Sequence, residues 1–126
     1  MILAACGNDC ESCPRYNCVP FTKTEEELIN TAKLWYKVGY RDRVVTPEEI
    51  SCTGCKADNW CRYNVIGCVS RKGLDNCGQC REYPCDNIKE CFQSTKKFIP
   101  KCEEVCTKDE LAMLRKAFWE KEQNLC

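Results

Sequence analysis

The chain has 126 residues, room for one compact domain and too few for two ordinary ones. Its 19 basic and 19 acidic residues cancel, so it lacks the basic field that phosphate-backbone binding needs, and nucleic acid is not an expected partner. Fifteen cysteines and no histidine point to thiolate chemistry and exclude Ser-His-Asp and Cys-His nucleophiles, histidine-based zinc proteases and two-histidine zinc fingers.

The opening "MILAACGND" has no basic n-region and only a short apolar run, which predicts no signal peptide. No stretch approaches ~20 apolar residues, so no membrane span is expected. Together these predict a cytoplasmic protein, where thiols stay reduced and cysteine pairs hold metal more often than they form disulfides. "CGNDCESCP" then sets Cys6, Cys10 and Cys13 on a C-x3-C-x2-C spacing. That spacing also holds the iron–sulfur cluster that activates S-adenosylmethionine. Such chemistry needs a barrel of ~200 residues or more, and no strand–helix alternation follows here.

Further along, "TKTEEELINTAKLWYKVGY" predicts a helix with Thr24 and Glu27 as a capping box and Gly39 just past its end. Leu28, Ala32 and Trp35 share one face, and the "EEE" at 25–27 reads as a solvated face. "VVTPEEI" predicts a short turn of helix with Thr46 as cap and Pro47 in its first position. "WCRYNVIGCVSRKG" predicts a helix ending near Gly73 that sets Cys61 and Cys68 on one face. Pro84 is expected to start a helix carrying Ile88, Cys91, Phe92, Thr95 and Ile99, stopped by Pro100. A last helix, capped by Thr107 and Glu110, shows Leu111, Leu114 and Phe118 on one stripe. The aromatics Trp35, Tyr36, Phe118 and Trp119 read as core.

No stretch of four or more residues alternates at period two. The expected fold is mainly α: one small domain over residues 1–126, about four helices joined by cysteine knuckles that are irregular or briefly two-stranded, stabilised by metal. Residues 99–126 read as a C-terminal helical extension.

The knuckles carry the chemistry. Cys10-x2-Cys13-x4-Cys18, Cys52-x2-Cys55-x5-Cys61 and Cys77-x2-Cys80-x4-Cys85 share one shape, two of them with glycine at the turn. An all-cysteine zinc site needs four thiolates at about 2.3 Å, and paired knuckles supply two each. A disulfide framework is the main alternative for a cysteine-rich chain, but close C-x-x-C pairs rarely bridge each other in structural disulfides. A thioredoxin-like redox pair would need a βαβ setting that is missing. Zinc is preferred over an iron–sulfur cluster, which also accepts four thiolates, since the close ferredoxin run is absent.

Short loops close at little entropic cost, which groups Cys68, Cys77, Cys80 and Cys85 in one site. Cys10 and Cys13 then pair with Cys52 and Cys55 across the Glu-rich helix, leaving Cys6, beside the first pair, and Cys61 as spare candidates. Cys91 reads as a small core residue, Cys18 as either a core thiol or a spare ligand. Cys102 and Cys106 have a helical spacing that could serve a metal with Cys126, against the general tendency of a final residue to stay unanchored. No carboxylate pair can be placed in a cleft, so no general acid or base is nominated, and Tyr83 has no catalytic part.

"CGNDCESCP", "TPEEISCTGC" and "RKGLDNCGQCREYPC", in that order, resemble a cysteine-rich bacterial and archaeal family of unknown function in which zinc binding is assumed. The likeness spans about residues 6–98. It implies that Cys6, Cys10, Cys13, Cys52, Cys55, Cys68, Cys77, Cys80 and Cys85 are family positions. Cys61 lies where family spacing varies, and Asn59 and Asn64 stand in the stretch where family members are richer in cysteine. The resemblance implies a metal and no reaction. The expected function is a small, non-catalytic zinc protein that binds another protein; an iron–sulfur protein in electron transfer or redox sensing is the second reading.

Overall fold

A computed structural model describes residues 1–54 and 62–125, so the expectations on Cys55, Asn59, Cys61 and Cys126 lie outside the described residues. The described chain is mainly helical. Helix α1, Glu25–Lys37, begins at the expected capping box: Thr24 Oγ1 accepts the Glu27 amide at 3.1 Å, and Glu27 Oε1 accepts the Thr24 amide at 3.2 Å. Gly39, with φ 91°, ends it in the left-handed conformation that only glycine adopts without strain. Helix α2 is one turn, Pro47–Ile50, capped by Thr46. Helix α3 follows at Val65–Arg71, α4 at Asp86–Val105, α5 at Lys108–Leu114 and α6 at Lys121–Leu125, with a π turn over Arg115–Trp119 between the last two.

Three expectations are corrected. Helix α3 starts at Val65, because Asn64 is left-handed (φ 50°) and breaks any helix arriving from Arg62. Pro100 does not stop α4. Its missing N–H leaves the Lys96 carbonyl without a helical partner, but the ring is exposed while Cys102, two residues on and on the opposite face, is 0% exposed. Burial on the inner face thus overrides the local cost of the proline. Nor does Pro84 begin the helix; Cys85 takes the N-cap. Among the described residues the knuckles form 3₁₀ turns, Cys10–Ser12 and Cys77–Gln79, and two isolated bridges, Leu3 with Asp9 and Tyr16 with Cys52, rather than paired strands.

Two apolar clusters form the interior. The first holds Leu28, Ala32, Trp35, Ile50, Cys102 and Leu114, flanked by Tyr40, Phe98 and Phe118. Trp35 meets Tyr40 and Phe118 edge-on at 5.4 and 5.8 Å, an arrangement favoured by the ring quadrupoles. Tyr36 points the other way and is 53% exposed, so it is not core. The second cluster holds Ala5, Val65, Val69, Cys77, Ile88, Cys91, Phe92 and Leu125. Helix α4 has 20 residues and therefore a length of ~30 Å, which lets its start serve the second cluster and its end the first.

Candidate functional site

The cysteines follow this division. Near the first cluster, Asp9 organises the first knuckle from a buried position, accepting the amides of Ile2 and Glu11 and the Ser12 hydroxyl at 3.2, 3.1 and 2.8 Å. The 3₁₀ turn then sets Cys13 after Cys10, with the Cys13 amide on the Cys10 carbonyl at 3.1 Å. The second knuckle is laid alongside by backbone pairing: Cys52 N–H donates to Arg15 O, and Asn17 N–H to Cys52 O, both at 2.8 Å. Arg15 Nε on the Ile50 carbonyl at 2.7 Å locks the register. The Gly54 amide donates to Cys52 Sγ at 3.4 Å, and Cys18 Sγ donates to the Thr53 carbonyl at 3.6 Å.

Cys10, Cys13, Cys18 and Cys52 are therefore neighbours. Burial, with a smaller contribution from Cys52, pushes the Cys13 thiol up to about 11. Burial and then the charges of Cys18, Cys10 and Cys52 raise the Tyr16 phenol.

At the second cluster, four chain segments deliver thiols. Cys68 comes from α3, Cys77 and Cys80 from the 3₁₀ turn, Cys85 from the N-cap of α4, and Cys6 from the N-terminal segment, tied in by Cys77 N–H on Ala5 O at 3.0 Å. Burial first, then Cys85, Cys68, Cys6 and Cys80, lifts the Cys77 thiol to about 11. At Cys80 the Glu82 amide and then Lys72 pull the thiol down; Lys72 Nζ lies 3.1 Å from Cys80 Sγ and 2.6 Å from Glu82 Oε2.

Cys6 stands here, not beside Cys10 and Cys13. Gly7, at φ 97°, turns the chain between them, so Cys6 packs on the second cluster and Cys13 on the first. A hydrogen bond from the Cys91 thiol, followed by the charge of Lys121, brings Cys6 down to about 6 despite burial. Sequence reasoning missed Asp9, Lys72 and Lys121, which lie outside the cysteine pattern.

A third grouping, Tyr40 Oη with Cys102 Sγ at 4.0 Å and Cys106 close by, lies at the end of α4, and burial raises both thiols. The Asn64 side-chain amide lies against Gly67.

None of the twelve described cysteines is joined in a disulfide. Among the described residues no three cysteine or carboxylate side chains are closed tightly enough to hold a metal ion as they lie. The thiols converge without meeting at a point. Cys68, Cys80 and Cys85 are half-buried, so rotation about χ1 is open to them. No described helix is long and apolar enough to cross a membrane.

The model of a family described as proteins of unknown function, DUF3795, matches residues 2–90, and the chain belongs to that family. The match takes in both knuckle clusters and the first turn of α4, and leaves out the end of α4, α5 and α6. No curated protein and no solved structure matches the chain.

Proposed function

We propose that this member of the DUF3795 family is a small zinc protein whose all-cysteine sites hold the fold, and that it acts without catalysis by binding another protein. One observation carries the metal reading: Cys6, Cys68, Cys77, Cys80 and Cys85 are gathered at one corner by separate segments, although a cluster of thiols gains nothing there as thiols. Four thiolates in a low-dielectric corner are tolerated only when a cation shares their charge. At the other corner, an amide donated to Cys52 Sγ is a contact suited to a metal-bound thiolate, whose excess charge it relieves.

Four thiolates are a donor set that suits zinc once side-chain rotation closes them to a point. Cys68, Cys77, Cys80 and Cys85 would hold one ion, and Cys10, Cys13 and Cys52, with Cys55 from outside the described residues, a second. Zinc bound by four thiolates leaves no open position and so serves structure. Ile29, Tyr36 and Val44 support the partner reading, as large apolar side chains left exposed along α1 and the loop after it. The reading places the protein in the cytoplasm, where thiols remain available to metal.

Elemental analysis of protein purified without oxygen tests it. Colourless protein with about two zinc ions per chain is the expected result. Brown, iron-containing protein would give the place to an iron–sulfur cluster, and metal-free protein with its cysteines in native disulfides would end the reading.

A further inference from the structure

Helix α1 commits one face to the core, through Leu28, Ala32 and Trp35, and leaves the opposite face to solvent. On that outer face Glu26, Ile29, Lys33 and Tyr36 follow one another at intervals of three, four and three residues. Such spacing is the a/d repeat by which one helix packs along another. All four side chains are exposed, Ile29 to 37% and Tyr36 to 53%, so the core does not account for the repeat. Among the described residues the ion pairs are Met1–Glu11, Lys37–Glu110, Arg43–Glu49, Lys72–Glu82 and Lys96–Glu122, and none includes Glu26 or Lys33.

Glutamates at a helix start also suit its dipole, and single exposed apolar residues are ordinary. Neither accounts for an isoleucine and a tyrosine interleaved with an acid and a base on one stripe. The order Glu, Ile, Lys, Tyr is its own complement when a second copy runs the other way. With the two-fold axis at residue 31, the middle of Glu25–Lys37, Glu26 faces Tyr36 of the second copy and Ile29 faces its Lys33. The Lys33 stem then covers Ile29, and its ammonium reaches Glu26 one turn nearer the helix start. Each contact occurs twice, as a two-fold interface requires. A parallel alignment would instead set Glu26 on Glu26 and Lys33 on Lys33, which like charges oppose.

We propose that the outer face of α1 is a self-association surface, and that the partner it fits is a second, antiparallel copy of this chain. The inference rests on the partner reading above and names that partner. One helix face per copy falls short of the ~1,200 Å² of a standard stable interface, so association is weak and set by concentration. The Glu26–Lys33 pairs lie at its wet edge, which makes it sensitive to salt.

Sedimentation equilibrium of the full chain, purified without oxygen, from about 5 to about 500 μM tests this. The unaltered protein should pass from monomer to dimer across that range, and ~0.5 M salt should move the midpoint to higher concentration. Tyr36→Glu should weaken the dimer about 100-fold, and Glu26→Lys and Lys33→Glu about tenfold each. Circular dichroism and urea midpoints of the monomers should change little, because all three positions are exposed. An equimolar mixture of Glu26→Lys with Lys33→Glu should recover association, since each altered charge then meets its opposite twice, a result that no folding defect produces. A protein monomeric at every concentration would overturn the inference and leave the reading of a different protein as partner standing. A dimer that all three substitutions leave unchanged would overturn it too, by placing the interface elsewhere. So would a mixture that fails to regain the association each variant has lost, because the antiparallel register would then be wrong.

Discussion

Gly7 holds two roles that no other residue combines, a left-handed turn at φ 97° and direct contact with the backbone of Lys121. Gly7→Ala should therefore destabilise the protein by roughly 1–3 kcal/mol in urea unfolding, and an unchanged midpoint would show that α6 does not rest there. Cys13 gives a pH signature. Its thiol, near 9 when exposed, is held at about 11 by burial. Below pH 9 it is protonated in both folded and unfolded chains; between 9 and 11 the unfolded chain loses the proton and the folded chain keeps it. Unfolding is then favoured, so the reduced, metal-free protein should lose stability from about pH 9 to about pH 11. Cys77, also held at about 11, shifts in the same direction. Urea midpoints across that range should fall, and fall less in Cys13→Val. A loss as steep in Cys13→Val would assign the effect to other groups.

The helix ends were legible because they are written locally. Thr24 with Glu27 and Thr107 with Glu110 form the capping boxes their spacing announces, and Thr46 with Pro47 starts α2. Pro100 misleads for the opposite reason: what carries α4 past it is Cys102, buried in one cluster with Trp35 and Leu114 from other helices. Pro100→Ala tests that account. Alanine supplies the N–H missing opposite the Lys96 carbonyl, worth about 3 kcal/mol in a helix interior, against ~0.4–1 kcal/mol of chain entropy that proline removes from the unfolded state. Thermal and urea unfolding should show a net gain of about 2 kcal/mol. A loss would mean that the break in hydrogen bonding serves a bend the packing needs.

Across the molecule, the same contrast separates what the cysteine spacing disclosed from what it hid. The local run Cys68, Cys77, Cys80 and Cys85 was readable because its loops are short. The transfer of Cys6 to that corner was not, since it depends on one glycine turn and on the Cys77 amide meeting Ala5. The resulting interior is unequal. The first cluster has Trp35 with an edge-on array of Tyr40, Phe98 and Phe118, whereas the second has Phe92 as its one buried aromatic, among Ala5, Val65, Val69, Ile88, Leu125 and the thiols. Clusters of that kind supply little stability alone, and a structural zinc contributes ~10–16 kcal/mol in finger peptides. Removing metal should consequently not melt the molecule evenly. After verified chelation, or in Cys77→Ser with Cys80→Ser, amides of α3 and the first turns of α4 should lose hydrogen-exchange protection, while those of α1 keep most of theirs. Helix α4, shared between the clusters, should fray from Asp86 toward Phe98 and hold beyond it, where Cys102 is anchored. Uniform protection after the metal has gone would show that the second cluster stands on its apolar contacts alone, and that its thiols are not what keeps α3 in place.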